Sequence, residues 1–140
     1  MSFPIIVWIL TALAAVVVVL TRLRLGGDGG AGRFSISNRL PAAHFVFGTI
    51  ALVLWVAVLV APDETFLSGP LMGIIAIAAW WITAVCGLLI LMRWLPAKGR
   101  HVPQAVGDSW SDGPGLSILA HVGMVVGVLV FTYAYLTAAV

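Results

Sequence analysis

The sequence predicts an all-α integral membrane protein, an up-down four-helix bundle with both termini on the outer side. Three observations predict it. Of the 140 residues, 62% are hydrophobic and only 9% charged, against about 25% charged in an average soluble domain, and the mean hydropathy is +1.16. Every Asp, Glu, Lys and Arg falls at 22–39, 63–64 or 93–112, which leaves four uncharged stretches. Each stretch approaches or exceeds the length of about 20 residues that a helix rising 1.5 Å per residue needs to cross a hydrocarbon core of about 30 Å. The spans fall near 3–21, 41–61, 70–92 and 115–139, so residues 1–140 read as a single transmembrane domain with flexible cytoplasmic loops at 22–40 and 93–114.

The loops set the orientation. The first carries Arg22, Arg24, Arg33 and Arg39 against Asp28, the second only Asp63 and Glu64, and the third Arg93, Lys98 and Arg100 against Asp108 and Asp112. Lys and Arg in short loops mark the cytoplasmic side, so the first and third loops are expected inside, in a bacterial inner membrane. A pI near 9.2 would raise the question of nucleic acid in a soluble protein. Here the basic residues sit where orientation needs them, and nucleic-acid binding is excluded from the reading.

Span one, FPIIVWILTALAAVVVVLT, has no basic residue before it and arginines after it. That is the charge order of a retained anchor rather than a cleaved signal peptide. The stretch LGGDGGAG at 25–32 lacks the Lys-Ser/Thr pair of a phosphate-binding loop and reads as a linker. Span two opens with Asn38 and a first-turn Pro41 and stops at Ala61-Pro62. Span three carries Trp80 and Trp81 near its middle, read as packing residues, and Arg93-Trp94 as interfacial anchors. Its Cys86 is the only cysteine, so no intrachain disulfide can form. Span four carries Gly123-x-x-x-Gly127, a spacing that lets helices approach closely, and Phe131, Tyr133 and Tyr135, read as an outer aromatic belt.

The chemistry rests on two histidines, because an ionisable ring within a span is costly unless it pairs, coordinates or lines a cavity. His44 stands near the start of span two and His121 near the start of span four. Those spans run in the same direction, so the two rings fall at similar depths, roughly 5 and 9 Å from the ends of their helices. In an up-down bundle, helices two and four are diagonal across the core, where cofactor sites are built. Gly48 and Ala51 share the His44 face and leave room for a flat ligand. Two readings of the pair stand: a haem b with His44 and His121 as axial ligands of the iron, Gly48 beside the ring and Arg39 facing a propionate, or no cofactor, with each ring donating a hydrogen bond to a carbonyl on a neighbouring helix. A two-histidine zinc site is poorer, since structural zinc takes four protein ligands. His101 belongs to the third loop. Ser117, four residues before His121, has no second group to orient that histidine as a base, which removes the hydrolase reading.

His44-x-x-x-Gly48 resembles the ligand-bearing helices of bacterial membrane b-type cytochromes. Over residues 33–139, the histidines opening spans two and four, with Gly87-Leu88 and Arg93-Trp94 ending span three, resemble a family of small four-span actinobacterial membrane proteins without assigned activity. The second resemblance implies the architecture and no site residues. Two functions remain. One is a haem-carrying electron-transfer protein or respiratory-complex subunit, with quinone among its candidate partners. The other is a non-catalytic accessory subunit of a larger membrane assembly or homo-oligomer, surrounded by lipid. A proton-coupled transporter is disfavoured, because no Asp or Glu lies within a span.

Overall fold

The structure, a computed structural model, describes residues 2–26, 39–97 and 115–140, with side chains at 2–20, 22, 39–92 and 118–140. Among the described residues the regular structure is helical: α1 (Phe3–Gly26), α2 (Arg39–Val60), α3 (Pro70–Ala97) and α4 (Gly115–Leu136). All four are long and apolar enough to cross a membrane. The boundaries differ from expectation where a charge was taken for a helix end. α1 continues past residue 21 through Arg22 to Gly26, and α3 continues past residue 92 to Ala97. A charge closes an apolar window without breaking the backbone ladder, and Arg and Leu are good helix formers. α2 begins at Arg39, two residues earlier than expected, with Pro41 in its first turn, where it needs no donor. α4 ends at Leu136 rather than 139. There Ala138 takes a left-handed φ of 49°, and the Ala139 N–H reaches back to the Ala134 carbonyl at 2.9 Å, a helix-terminating cap. The loop readings on 27–38 and 98–114, including His101, lie outside the described residues.

Consecutive helices are antiparallel. The α2–α3 turn is closed by the Pro62 carbonyl, which accepts from Thr65 Oγ1 and Ser68 Oγ, both at 2.9 Å. The start of α1 meets the end of α4, where Phe3 and Tyr133 pack edge to face at 5.6 Å. The far end of α1 meets the start of α2, with the Arg22 guanidinium 6.0 Å from the Phe45 ring. α3 and α4 are tied by Trp81 Nε1 donating to Thr132 Oγ1 at 3.2 Å and Tyr135 Oη donating to the Pro70 carbonyl at 2.6 Å. α2 packs most extensively on α3, while α1 with α3 and α2 with α4 make no direct backbone approach. Those two pairs are therefore the diagonals.

The half of the core nearer the α2–α3 turn is aromatic. Phe131 of α4 lies 4.9 Å from Trp55 and 5.6 Å from Trp80, measured between ring centroids, and all three are fully buried with Val7 and Val128. Phe131 was expected in an interfacial belt; α4 instead turns it inward, and only Tyr133 of the three is exposed. Trp80 Nε1 has no hydrogen-bond partner, so this side chain contributes packing alone. Trp55 Nε1, in contrast, donates to Thr11 Oγ1 at 3.1 Å, and that hydroxyl donates to the Val7 carbonyl at 2.8 Å. Thr11→Val keeps the volume and removes the acceptor. It is expected to cost about 1–3 kcal/mol, the penalty of stranding a buried indole N–H, read as a shifted midpoint in SDS-titrated unfolding in bicelles.

The outside is more uniformly apolar than the inside. Leu13, Val16, Val53, Ile74, Val85 and Leu129 are all about half exposed, as suits lipid contact and would be unusual in water. Among the described residues no heavy atom beyond their own helix lies within 4 Å of where a Cβ at Gly123 or Gly127 would stand, so neither glycine marks a close helix approach there.

Candidate functional site

His44 and His121 project into the bundle from the diagonal helices α2 and α4, and their rings face each other with centroids 6.0 Å apart and planes inclined at 31°. Both are half-buried. His44 Nδ1 lies 2.9 Å from the Thr83 carbonyl. A carbonyl only accepts, so Nδ1 carries the proton and the Nε2 lone pair is left available on the other side of the ring. This is the support that metal-bound histidines usually have, an N–H held by an oxygen that fixes tautomer and orientation. Thr83 Oγ1 is itself tied back to the Ala79 carbonyl at 2.8 Å, so its α3 turn is held on both sides.

The third component is Gly87 of α3. A Cβ at this position would lie 2.6 Å from His121 Cδ2, 3.2 Å from His121 Nε2 and 3.0 Å from His44 Cε1. The absence of a side chain at Gly87 is thus what keeps the space between the rings open. Its location follows from the hairpin. His44 lies sixteen residues before the end of α2 and Gly87 seventeen after the start of α3, so antiparallel helices joined by a short turn bring them to one depth.

Two imidazoles bound through nitrogen to one ion at about 2.0–2.1 Å would stand with centroids about 6 Å apart, the separation observed. A porphyrin centred between the rings would spread on all sides, and on one side it would meet the Gly87 backbone. Two axial imidazoles suit haem as donors, but a macrocycle between these rings requires α3 to stand further off. Next to the His44 ring is a small cavity of about 20 Å³, lined from all four helices by Val17, Val18, His44, Phe45, Gly48, Thr83 and Met124, enough for about one water.

Of the residues singled out from sequence, the fold brings His44 and His121 ring to ring, while Gly48 faces the cavity beside His44, its Cβ position 3.3 Å from Thr83 Cγ2, and does not lie between the rings. Arg39 is exposed at the start of α2 and lies outside the cavity lining. The side chains of Arg93 and Ser117 are not among those described. Thr83, Gly87 and Met124 carried no role in the sequence reading. Depth counting from the α2–α3 turn would have found the first two, and the three-residue spacing from His121 would have found Met124. Among the described residues, no three His, Cys, Asp or Glu side chains gather. Comparison with family models, curated proteins and solved structures gives no match to any of them.

Proposed function

We propose that this chain is a membrane-embedded electron-transfer subunit that holds a metal centre between His44 and His121. One observation carries the reading: two imidazoles from diagonal helices stand 6.0 Å apart, the separation that one shared ion calls for. The chain's own residues supply the rest. The Thr83 carbonyl fixes the His44 tautomer, Gly87 keeps the gap open, and the apolar bundle keeps water away, which strengthens every interaction with the centre. Haem b would use the same two axial ligands with α3 displaced. The donor and acceptor are a quinone or a neighbouring subunit of a respiratory assembly, reached through the apolar outer face.

The test is the metal content and absorption spectrum of protein purified in native lipid. A bound metal is expected, lost in both His44→Ala and His121→Ala and retained in His101→Ala. Metal-free, colourless protein would reject this reading and leave the accessory-subunit function.

Orientation belongs to the same proposal. Arg22 and Arg39 stand at the end of the bundle nearest the histidines, and Asp63 and Glu64 at the other, which supports, by the positive-inside rule, a site in the cytoplasmic leaflet of a bacterial inner membrane with both termini outside. A periplasmic reporter fused after Val140 is expected to be active and one fused at Gly99 silent. The reverse pattern would move the site to the outer leaflet.

A further inference from the structure

We infer that the cavity beside His44 is a binding site for one small apolar molecule of the size and class of dioxygen. Its size, its polarity and its position lead there.

The cavity is about 20 Å³, above the roughly 10–15 Å³ of probe-occupied volume that a single water needs. It takes one water-sized or diatomic guest, and not a ring or a length of acyl chain. Packed interiors hold few voids of this size, because the lining atoms forfeit dispersion contacts across them. Gly48 keeps this one open. A Cβ there would stand 3.3 Å from Thr83 Cγ2 and 3.9 Å from Val18 Cγ2, among the residues that line the space.

Polarity decides between water and an apolar guest. Val17, Val18, Phe45 and Gly48 bring no polar side-chain atom to the lining, and Met124 brings only a weakly accepting thioether. The two polar side chains have already given their hydrogens away, His44 Nδ1–H to the Thr83 carbonyl at 2.9 Å and Thr83 Oγ1–H to the Ala79 carbonyl at 2.8 Å. Every lining residue lies beyond the first turn of its helix, so its backbone N–H is bonded along that helix. An internal water makes about three hydrogen bonds, and this lining offers it no donor. A guest that forms no hydrogen bonds gives up nothing here and recovers the missing dispersion contacts.

Position supplies the guest. Val17, Val18 and Phe45 are half-buried, so the cavity lies close under the outer face of a bundle whose helices are apolar enough for hydrocarbon. Apolar solutes move favourably from water into such surroundings, which sets dioxygen at the entrance and leaves water scarce. Once inside, the guest rests against the His44 ring. The space between the two histidine rings plays no part in this, so the inference and the metal centre stand or fall separately.

The experiment is methyl-resolved NMR of the full chain in bicelles under stepped pressures of dioxygen, with argon, inert and similar in size, as the diamagnetic control. In the wild type the Val17, Val18 and Met124 methyl signals are expected to shift along a saturating curve with both gases, and to broaden with dioxygen. The lipid-facing methyls of Leu13 and Val16 should respond in proportion to pressure. Gly48→Ala fills the cavity and is expected to abolish the saturating component, with helical content by circular dichroism retained. Val18→Ala widens it and should move half-saturation to lower pressure. A proportional response at all these methyls in the wild type would overturn the inference. So would saturation curves unchanged in both variants, or a water cross-peak to the Val18 and Met124 methyls that persists at the highest gas pressure.

Discussion

Gly87→Ala is expected to empty the metal site while Gly48→Ala leaves it loaded. The added methyl at 87 would stand 2.6 Å from His121 Cδ2, closer than real Cβ atoms approach, and a tight 3.0 Å from His44 Cε1, so it would press on both rings. At least one ring must swing away. For His44 that means stretching the bond to the Thr83 carbonyl, at a general overpacking cost of about 1–3 kcal/mol. Metal affinity should fall by well over the roughly tenfold that loss of an outer-shell support produces. At position 48 the new methyl would meet a single threonine methyl at 3.3 Å and Val18 at 3.9 Å, which a small side-chain shift relieves. Equal loss of metal in both variants, or in neither, would remove Gly87 from the site. Helical content by circular dichroism in the same bicelles separates an emptied site from an unfolded bundle.

Phe131→Ala is expected to be the most destabilising single truncation. Phe131 is the ring that Trp55 and Trp80 share, at 4.9 and 5.6 Å, and it is fully buried. In water such a change costs about 3–5 kcal/mol, from lost transfer energy together with the cavity left behind. Within lipid the transfer contribution largely vanishes, because the surroundings are as apolar as the core. The cavity and the forfeited dispersion contacts remain, and they set the expectation at about 2 kcal/mol. Steric-trap or SDS unfolding in bicelles reads this directly. A loss below that of the exposed Leu129→Ala control would show that the aromatic cluster does not hold the bundle together. The metal affinity should survive, since Phe131 lies in α4 nearly three turns beyond His121.

The four helices were legible in the sequence because the signal that marks them is local. About twenty apolar residues between charges are enough to require a helix in hydrocarbon, where every backbone donor must be satisfied within its own segment. The antiparallel order followed from the short turn at 61–69, and the pairing of His44 with His121 from their similar positions on two parallel helices. What the sequence could not supply was rotation about each helix axis. Hydrophobic periodicity normally reports which face is inward, but here lipid-facing and core-facing residues are equally apolar, so α4 offered no sign that Phe131 and Val128 turn inward while Gly123 and Val126 turn out. Only the packing of the four helices decided that Gly87 rather than Gly48 lies between the two rings, that Thr83 holds His44, and that Met124 joins the same cavity. Those facts depend on the approach of α3 to its two adjacent helices, α2 and α4, a property of side-chain fit between helices and absent from any one span.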